Sequence, residues 1–530
     1  MLCSKFGRFE AMAKKKRPTL EATGGIAASE VAGGMTPVAV LLLVMSGTAG
    51  LVYQLLWVKQ LSLVVGADVF AVTTAVSAFF AGLAIGSYGF GKRADRLARP
   101  LRLYAFVEIG IGVLGILATL LISQSAPWFV WLETYTGPVA WALPFVLVGL
   151  PAVLMGGTVP LMMRVVAPAA ARVAAVGGRL YAANTAGAIL GVLLAPFLLI
   201  PLFGILGSAF VAATINVAVA LIALFVARSR EARVSVQTAS TLPEASRRNR
   251  LALGLYSIIG GLALGYEVIW SQAIVQWTST RSFAFAVVLA TYLVGIVLGS
   301  AWYARRADRT TDPWGSLGLF IAAVGLSGLV GVLFAGHWLS SVQVKAATWM
   351  FHLTQQESLA MAARFVVAAG WIVLVPTFLL GAAFPAALRL TAEPASSGRD
   401  TGRVLALNTL GGIAGTLLAG FVLVPRLGLE RSLALMSAVA ATVGIVWWSR
   451  EHRFPDDCGG PLSLAAGWLS RWESVWGLII WPASWPRHAM VTCCSTRPAP
   501  PARWPSSSKV RDGIASGDCT SRASRIPAIR

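Results

Sequence analysis

Apolar runs of about 20 residues recur along most of this chain, each long enough to cross a hydrocarbon core of roughly 30 Å as a helix. Only 12% of the 530 residues are charged, against roughly 25% in an ordinary soluble domain. A soluble globular enzyme is therefore excluded, and an all-α integral membrane protein is expected. Twelve spans are read, at 37–57, 69–90, 103–123, 139–163, 180–200, 206–227, 251–270, 283–304, 315–335, 365–388, 404–424 and 432–448.

Loop charge sets the expected orientation, because Lys and Arg resist translocation. Residues 1–36, 91–102, 164–179, 228–250, 305–309 and 389–403 together carry 26 Lys and Arg, whereas the alternate loops carry six: Lys59, Arg281, Lys345, Arg364, Arg426 and Arg431. Both termini are expected in the cytoplasm. The net charge of +21 matters here by its location rather than its size. The domain reading is a basic cytoplasmic tail over 1–36, a first six-helix repeat over 37–227, a cytoplasmic linker over 228–250, a second six-helix repeat over 251–449, and a low-order tail over 450–530. From residue 481 onward there is no Leu, Phe, Tyr or Glu, and such a segment buries too little to offset chain entropy.

The two halves are copies. At an offset of 213 residues, Tyr53-Gln54-Leu55-Leu56-Trp57 overlies Tyr266-Glu267-Val268-Ile269-Trp270, and Lys92-Arg93-Ala94-Asp95-Arg96 overlies Arg305-Arg306-Ala307-Asp308-Arg309. Gly82, Gly86 and Ser87 fall on Gly295, Gly299 and Ser300 at the same offset. Near the fourth span, Pro151, Gly156, Pro160 and Arg164 match Pro376, Gly381, Pro385 and Arg389; in the fifth, Asn184, Gly187, Gly191, Pro201 and Gly204 match Asn408, Gly411, Gly415, Pro425 and Gly428. Six spans per unit is even, so the repeats enter from the same face and are parallel, as in a major-facilitator-like fold with its site between the halves.

Carboxylates inside spans are costly and tend to face a bundle interior or a pathway. Glu267 is the leading substrate-binding candidate, with neutral Gln54 at its repeat position; Tyr53 and Tyr266 stand beside them, and Glu108, early in the third span, is the remaining candidate. Asp95 with Arg96, and Asp308 with Arg309, are candidate cytoplasmic latches, since a carboxylate at a helix terminus interacts with the helix dipole and with a neighbouring guanidinium. Glycines four apart are read as helix-packing positions. The four histidines and five cysteines have no metal-ligand spacing, so no metal, no cofactor and no nucleic-acid partner is expected; the partners are the lipid bilayer and a small cationic substrate.

Four motifs in order, Ser46-Gly47 through Trp57, Gly82 through Ser87, Pro151 through Pro160 and Leu180 through Gly187, resemble the membrane half of the bacterial fused membrane protein and spermidine synthase family, and with their second-half copies span about residues 37–450. In that family a Rossmann-like aminopropyltransferase domain follows the last span. The resemblance implies a transporter-like or substrate-channelling module for a polyamine or related cation. It also leaves two alternatives: a membrane-anchored spermidine synthase whose catalytic domain is missing, and a non-transporting scaffold. No catalytic residue carries over, because the glycine-rich strand–turn–helix of the synthase is absent after residue 450. A broken reading frame or truncation near 455–490 is the expected cause.

Overall fold

Hydrocarbon offers no hydrogen bonds, so a chain of apolar spans must satisfy its backbone internally, and helices do this within each segment. The computed structural model describes residues 19–65, 68–167, 172–230, 247–276, 281–333, 337–393 and 396–451. The expected low-order tail lies outside the described residues from 452 onward, as does most of the 228–250 linker. Among the described residues every regular element is helical. The first half comprises α1 (Thr19–Val65), α2 (Asp68–Ala94), α3 (Pro100–Ser123), α4 (Ala126–Thr136), α5 (Ala142–Val166), α6 (Val173–Leu194) and α7 (Ile200–Arg230). The second comprises α8 (Arg247–Gln276), α9 (Arg281–Ala304), α10 (Pro313–Leu333), α11 (His337–Thr354), α12 (Glu357–Ile372), α13 (Leu374–Thr391), α14 (Ser397–Leu417) and α15 (Val424–Glu451).

Ten helical stretches among the described residues are long and apolar enough to cross a membrane. Two of them, 57 residues over Val173–Ser229 and 53 over Ser397–Ser449, are more than twice the roughly 20 residues one crossing needs. Each is broken at a repeat-related glycine, Gly204 (φ 65°, ψ −172°) and Gly428 (φ 79°, ψ 171°). The ten stretches thus make twelve crossings, arranged as two parallel six-helix repeats. A π turn precedes each break, over Ala195–Leu199 and Leu418–Leu423. Pro201 and Pro425 explain the turns, because neither supplies an amide to the carbonyl four residues back, Phe197 or Phe421. The Ser208 and Ser432 hydroxyls donate to the carbonyls of Gly204 and Gly428 at 2.5 and 2.6 Å, closing the start of each following helix.

Two elements depart from the expected spans. The first helix begins at Thr19, well inside the stretch assigned to the basic tail. The tenth span is divided at Val373 between α12 and α13, where Pro376 leaves the Ile372 carbonyl without its helical donor. Short helices α4 and α11 carry exposed Trp128, Trp131, Tyr135, Trp338 and Trp349, side chains of the kind that settle at a membrane–water boundary.

Within each half, α1 packs on α6, α2 on α5 and α3 on α7, and the copies repeat this as α8 on α14, α9 on α13 and α10 on α15. Between halves, α2 meets α14 and α6 meets α9. The anchor of each half is a stacked, fully buried pair: Tyr53 on Trp57, with centroids 5.4 Å apart, and Tyr266 on Trp270, at 4.9 Å. Trp57 Nε1 donates to Thr119 Oγ1 at 3.1 Å, and the Tyr266 hydroxyl bonds the Ser437 hydroxyl at 2.9 Å.

The backbone angles at Gly204 and Gly428 lie in a region essentially reserved for glycine, where another residue costs about 1–3 kcal/mol. Gly204→Ala and Gly428→Ala should each lower stability by that amount, and the double variant by roughly the sum. Denaturant unfolding in detergent micelles checks this; a double variant as stable as the parent would contradict the assigned breaks.

Candidate functional site

A cavity of about 240 Å³ lies between the two halves. Gln54 of α1 and Glu267 of α8 face into it from the two sides, with Asn184 of α6 and Asn408 of α14, and with the tyrosines 181, 256 and 292. Close helix crossings put the asparagines there. Gly47 presses on the backbone carbonyl of Asn184, and Gly260 on that of Asn408, contacts that leave no room for a Cβ on either glycine. Consecutive helical residues point about 100° apart. Tyr53 and Tyr266 therefore turn into their own halves, while the following Gln54 and Glu267 turn to the cavity.

Of the residues singled out in the sequence, the structure brings Glu267 and Gln54 together across one cavity. Tyr53 and Tyr266 are fully buried in the aromatic anchors and do not line it. Glu108 is also fully buried, outside the lining, and accepts a 2.7 Å hydrogen bond from Asn216 Nδ2 of α7. The cavity tyrosines were not singled out. Tyr181 was legible in principle, since it stands three residues before Asn184 and such positions share a helix face.

The Asp95 and Asp308 loops lie on the face where both repeats begin, the basic face. Asp95 Oδ1 and Oδ2 accept the amides of Gly398 and Arg399 at 3.0 and 2.9 Å, the first turn of α14 in the other half. Asp308 Oδ2 accepts the Ala175 amide at 3.0 Å, in the first turn of α6, again in the other half. Each carboxylate thus caps a helix N-terminus across the interface, satisfying amides that have no intrahelical acceptor. Burial pushes the Asp95 carboxyl up from its ordinary value, opposed by the two amides and by the nearby guanidinium groups of Arg164 and Arg399. Arg96 and Arg309 are exposed, and neither takes part in these caps. The first turn of α14 is also tied locally, by Arg399 Nη2 donating to Glu393 Oε2 at 2.6 Å and by the Ser396 hydroxyl donating to Asp400 Oδ2 at 2.6 Å.

Below the caps the halves touch backbone to backbone. A Cβ on Gly402 of α14 would strike the Ser87 carbonyl of α2 and lie 2.9 Å from the Gly91 Cα. At the repeat-related crossing, Ser300 Oγ of α9 donates to the Gly178 carbonyl of α6 at 3.0 Å. Caps and crossings together join the two halves on the basic face.

No family model and no curated protein matches the chain. A solved bacterial homologue of the iron transporter ferroportin, in an outward-facing state, aligns with a TM-score of 0.52 and 15% identity over 78% of this chain and 100% of its own. The same homologue soaked with iron gives 0.51 and 14%, again over 78% and 100%. The major facilitator superfamily transporter FucP, in its outward conformation, gives 0.49 and 14% over 79% and 99%. At such identities the first two matches speak to fold alone, and with the repeat architecture they define the class: an all-helical, multi-pass membrane protein of two parallel six-helix repeats, with a fold like that of the ferroportin homologue.

Removing a cap typically costs about 0.5–2 kcal/mol. In a background with the five native cysteines replaced by serine, Asp95→Ala/Asp308→Ala should raise the reactivity of Asn184→Cys toward an impermeant thiol reagent applied at the basic face. Gly402→Val should do the same by holding α2 and α14 apart. Reactivity unchanged in both would remove the latch role.

Proposed function

We propose that this protein moves a small organic cation across the membrane by alternating access, with Glu267 as the charge that recognises it. One observation carries the reading: among the described residues lining the cavity, Glu267 is the sole carboxylate, and no Lys, Arg or His stands with it. The surrounding tyrosine rings offer faces to a cation, and Gln54, Asn184 and Asn408 offer amide oxygens. A polyamine is the substrate class that the resemblance to the spermidine-synthase-like family favours, and the four motifs with their copies support this chain as the membrane module of that family. A cavity between the halves with a carboxylate and three amides on its wall counts against a non-transporting scaffold, whose interface would be sealed and apolar. The excess of Lys and Arg on the basic face supports placing that face, with both termini, in the cytoplasm of a bacterial inner membrane.

In proteoliposomes, labelled putrescine should accumulate through the wild-type protein. A hydrogen bond to a charged group contributes about 1.5–3 kcal/mol, so Glu267→Gln should reduce uptake by roughly 10- to 100-fold. Tyr53→Phe, altering a ring that faces away from the cavity, should leave uptake near wild type. Equal flux through Glu267→Gln would exclude that side chain as the recognition charge. Translation of the DNA beyond residue 450 in its other two frames tests family membership; absence of a glycine-rich strand–turn–helix there would count against it.

A further inference from the structure

Glu108 is a carboxylate in the wrong place for packing. It lies in α3 with no exposed surface, and its Oε2 is bonded to Asn216 Nδ2. Its other oxygen, Oε1, has no partner at hydrogen-bond distance, and neither has Asn216 Oδ1. The hydroxyls of Tyr104 and of Ser46, on α1, flank the carboxylate. Ser46 also lines the cavity between the halves. Of the elements packed on α3, α1 presents Tyr53 as its one titratable group near Glu108, and α5 and α7 present none among the described residues; Tyr104 is the one on α3 itself.

The duplication supplies a control within the same molecule. At the repeat offsets, Glu108 corresponds to Ile321 of α10 and Asn216 to Ala440 of α15, both buried at 1% and 0% exposure. The crossing is matched in space to within one residue: a Cβ on Gly112 would meet Ala213 and Asn216, and one on its counterpart Gly325 would meet Ser437, the counterpart of Ala213, and Ala441, next to that of Asn216. The second half therefore packs the same helix pair with aliphatic side chains at these two positions. A glutamate and an asparagine are not needed to hold α3 against α7, and glue would not leave two acceptor oxygens empty.

Both unpartnered atoms are acceptors, so what the pair lacks is a hydrogen. A buried carboxylate with no cation beside it costs several kcal/mol, and a proton removes that cost. We propose that Glu108, with Asn216, is a proton-binding site that Ser46 connects to the substrate cavity. The Ser46 hydroxyl both donates and accepts. It passes its proton to the Glu108 carboxylate that it flanks while its own oxygen takes one from a hydronium in the cavity, so one proton moves inward and one water is left behind. Asn216 holds the Oε2 side of the carboxylate through its amide hydrogen in either state. The role in coupling rests on the transport reading; proton binding at Glu108 does not.

Infrared difference spectra of the purified full chain during a pH titration test the site without any substrate. A protonated-carboxyl band that titrates in the wild type, disappears in Glu108→Gln and ignores added Na⁺ supports it. A band set that Glu108→Gln leaves unchanged, or one that Na⁺ removes, overturns it. The double variant Glu108→Ile/Asn216→Ala copies the second half and should fold and unfold like the parent; loss of folding would mean that the pair is structural and would also overturn the proposal. In proteoliposomes, Glu108→Gln should lose putrescine accumulation driven by a pH gradient yet keep putrescine exchange at the wild-type rate, whereas loss of both would assign Glu108 to the substrate path. Should the wild type move no putrescine, the transport reading fails while the infrared result still decides the proton site.

Discussion

Helices in hydrocarbon gain little from hiding apolar surface from one another, because lipid is as apolar as they are; close backbone approach is what holds them. That constraint organises this molecule. Gly86 lies against the Val153 carbonyl, and its copy Gly299 against that of Phe378. Gly187 lies against Val44, and Gly411 against Ser257. Where the approach is closest, side chains beside the contact have nowhere to go but outward from it. The Gly47–Asn184 and Gly260–Asn408 crossings deliver two amides to the space between the halves in this way. The cavity is thus a consequence of how α1 meets α6 and α8 meets α14, rather than a feature added to a finished bundle.

The duplication makes the polar residues interpretable. Positions that agree between the halves, such as the Tyr–Trp anchors, the glycine breaks and the capping aspartates, do work that both halves require. Positions that disagree do work that only one half performs. Glu267 against Gln54 puts a single charge in a space framed almost symmetrically, and Glu108 against Ile321 puts a second carboxylate where its counterpart is aliphatic.

Much of this was legible in the sequence because the signals are local. Span length, loop charge and repeat offset each depend on neighbours in the chain. The twelve crossings follow from them, and so does the prominence of Asp95 and Asp308. The capping partners were not legible, because Gly398 lies 303 residues from Asp95 and no local pattern links a loop to a helix start in the other half. The arginines chosen beside the aspartates proved peripheral for the same reason: a guanidinium was the nearest plausible partner in sequence, whereas backbone amides were the nearest in space. Tyr53 and Tyr266 misled differently. They adjoin the cavity residues along the chain, but a rotation of about 100° per residue sends them into the opposite side of the helix.

The size of the closing interactions bears on whether such a bundle can cycle. Two caps at about 0.5–2 kcal/mol each hold the basic face with a total of about 1–4 kcal/mol, and the glycine crossings add backbone contact. A gap of a few kcal/mol is the range in which a minor state stays populated and a ligand can invert the balance, since shifting a population from 1:99 to 99:1 takes about 5.5 kcal/mol of differential affinity. Had the face depended on desolvated Asp–Arg pairs alone, breaking one would leave an uncompensated charge at a cost of about 3–5 kcal/mol each. Amides at a helix start can pass to water as the halves part, so carboxylate caps close the face firmly enough to define a state and loosely enough to leave it.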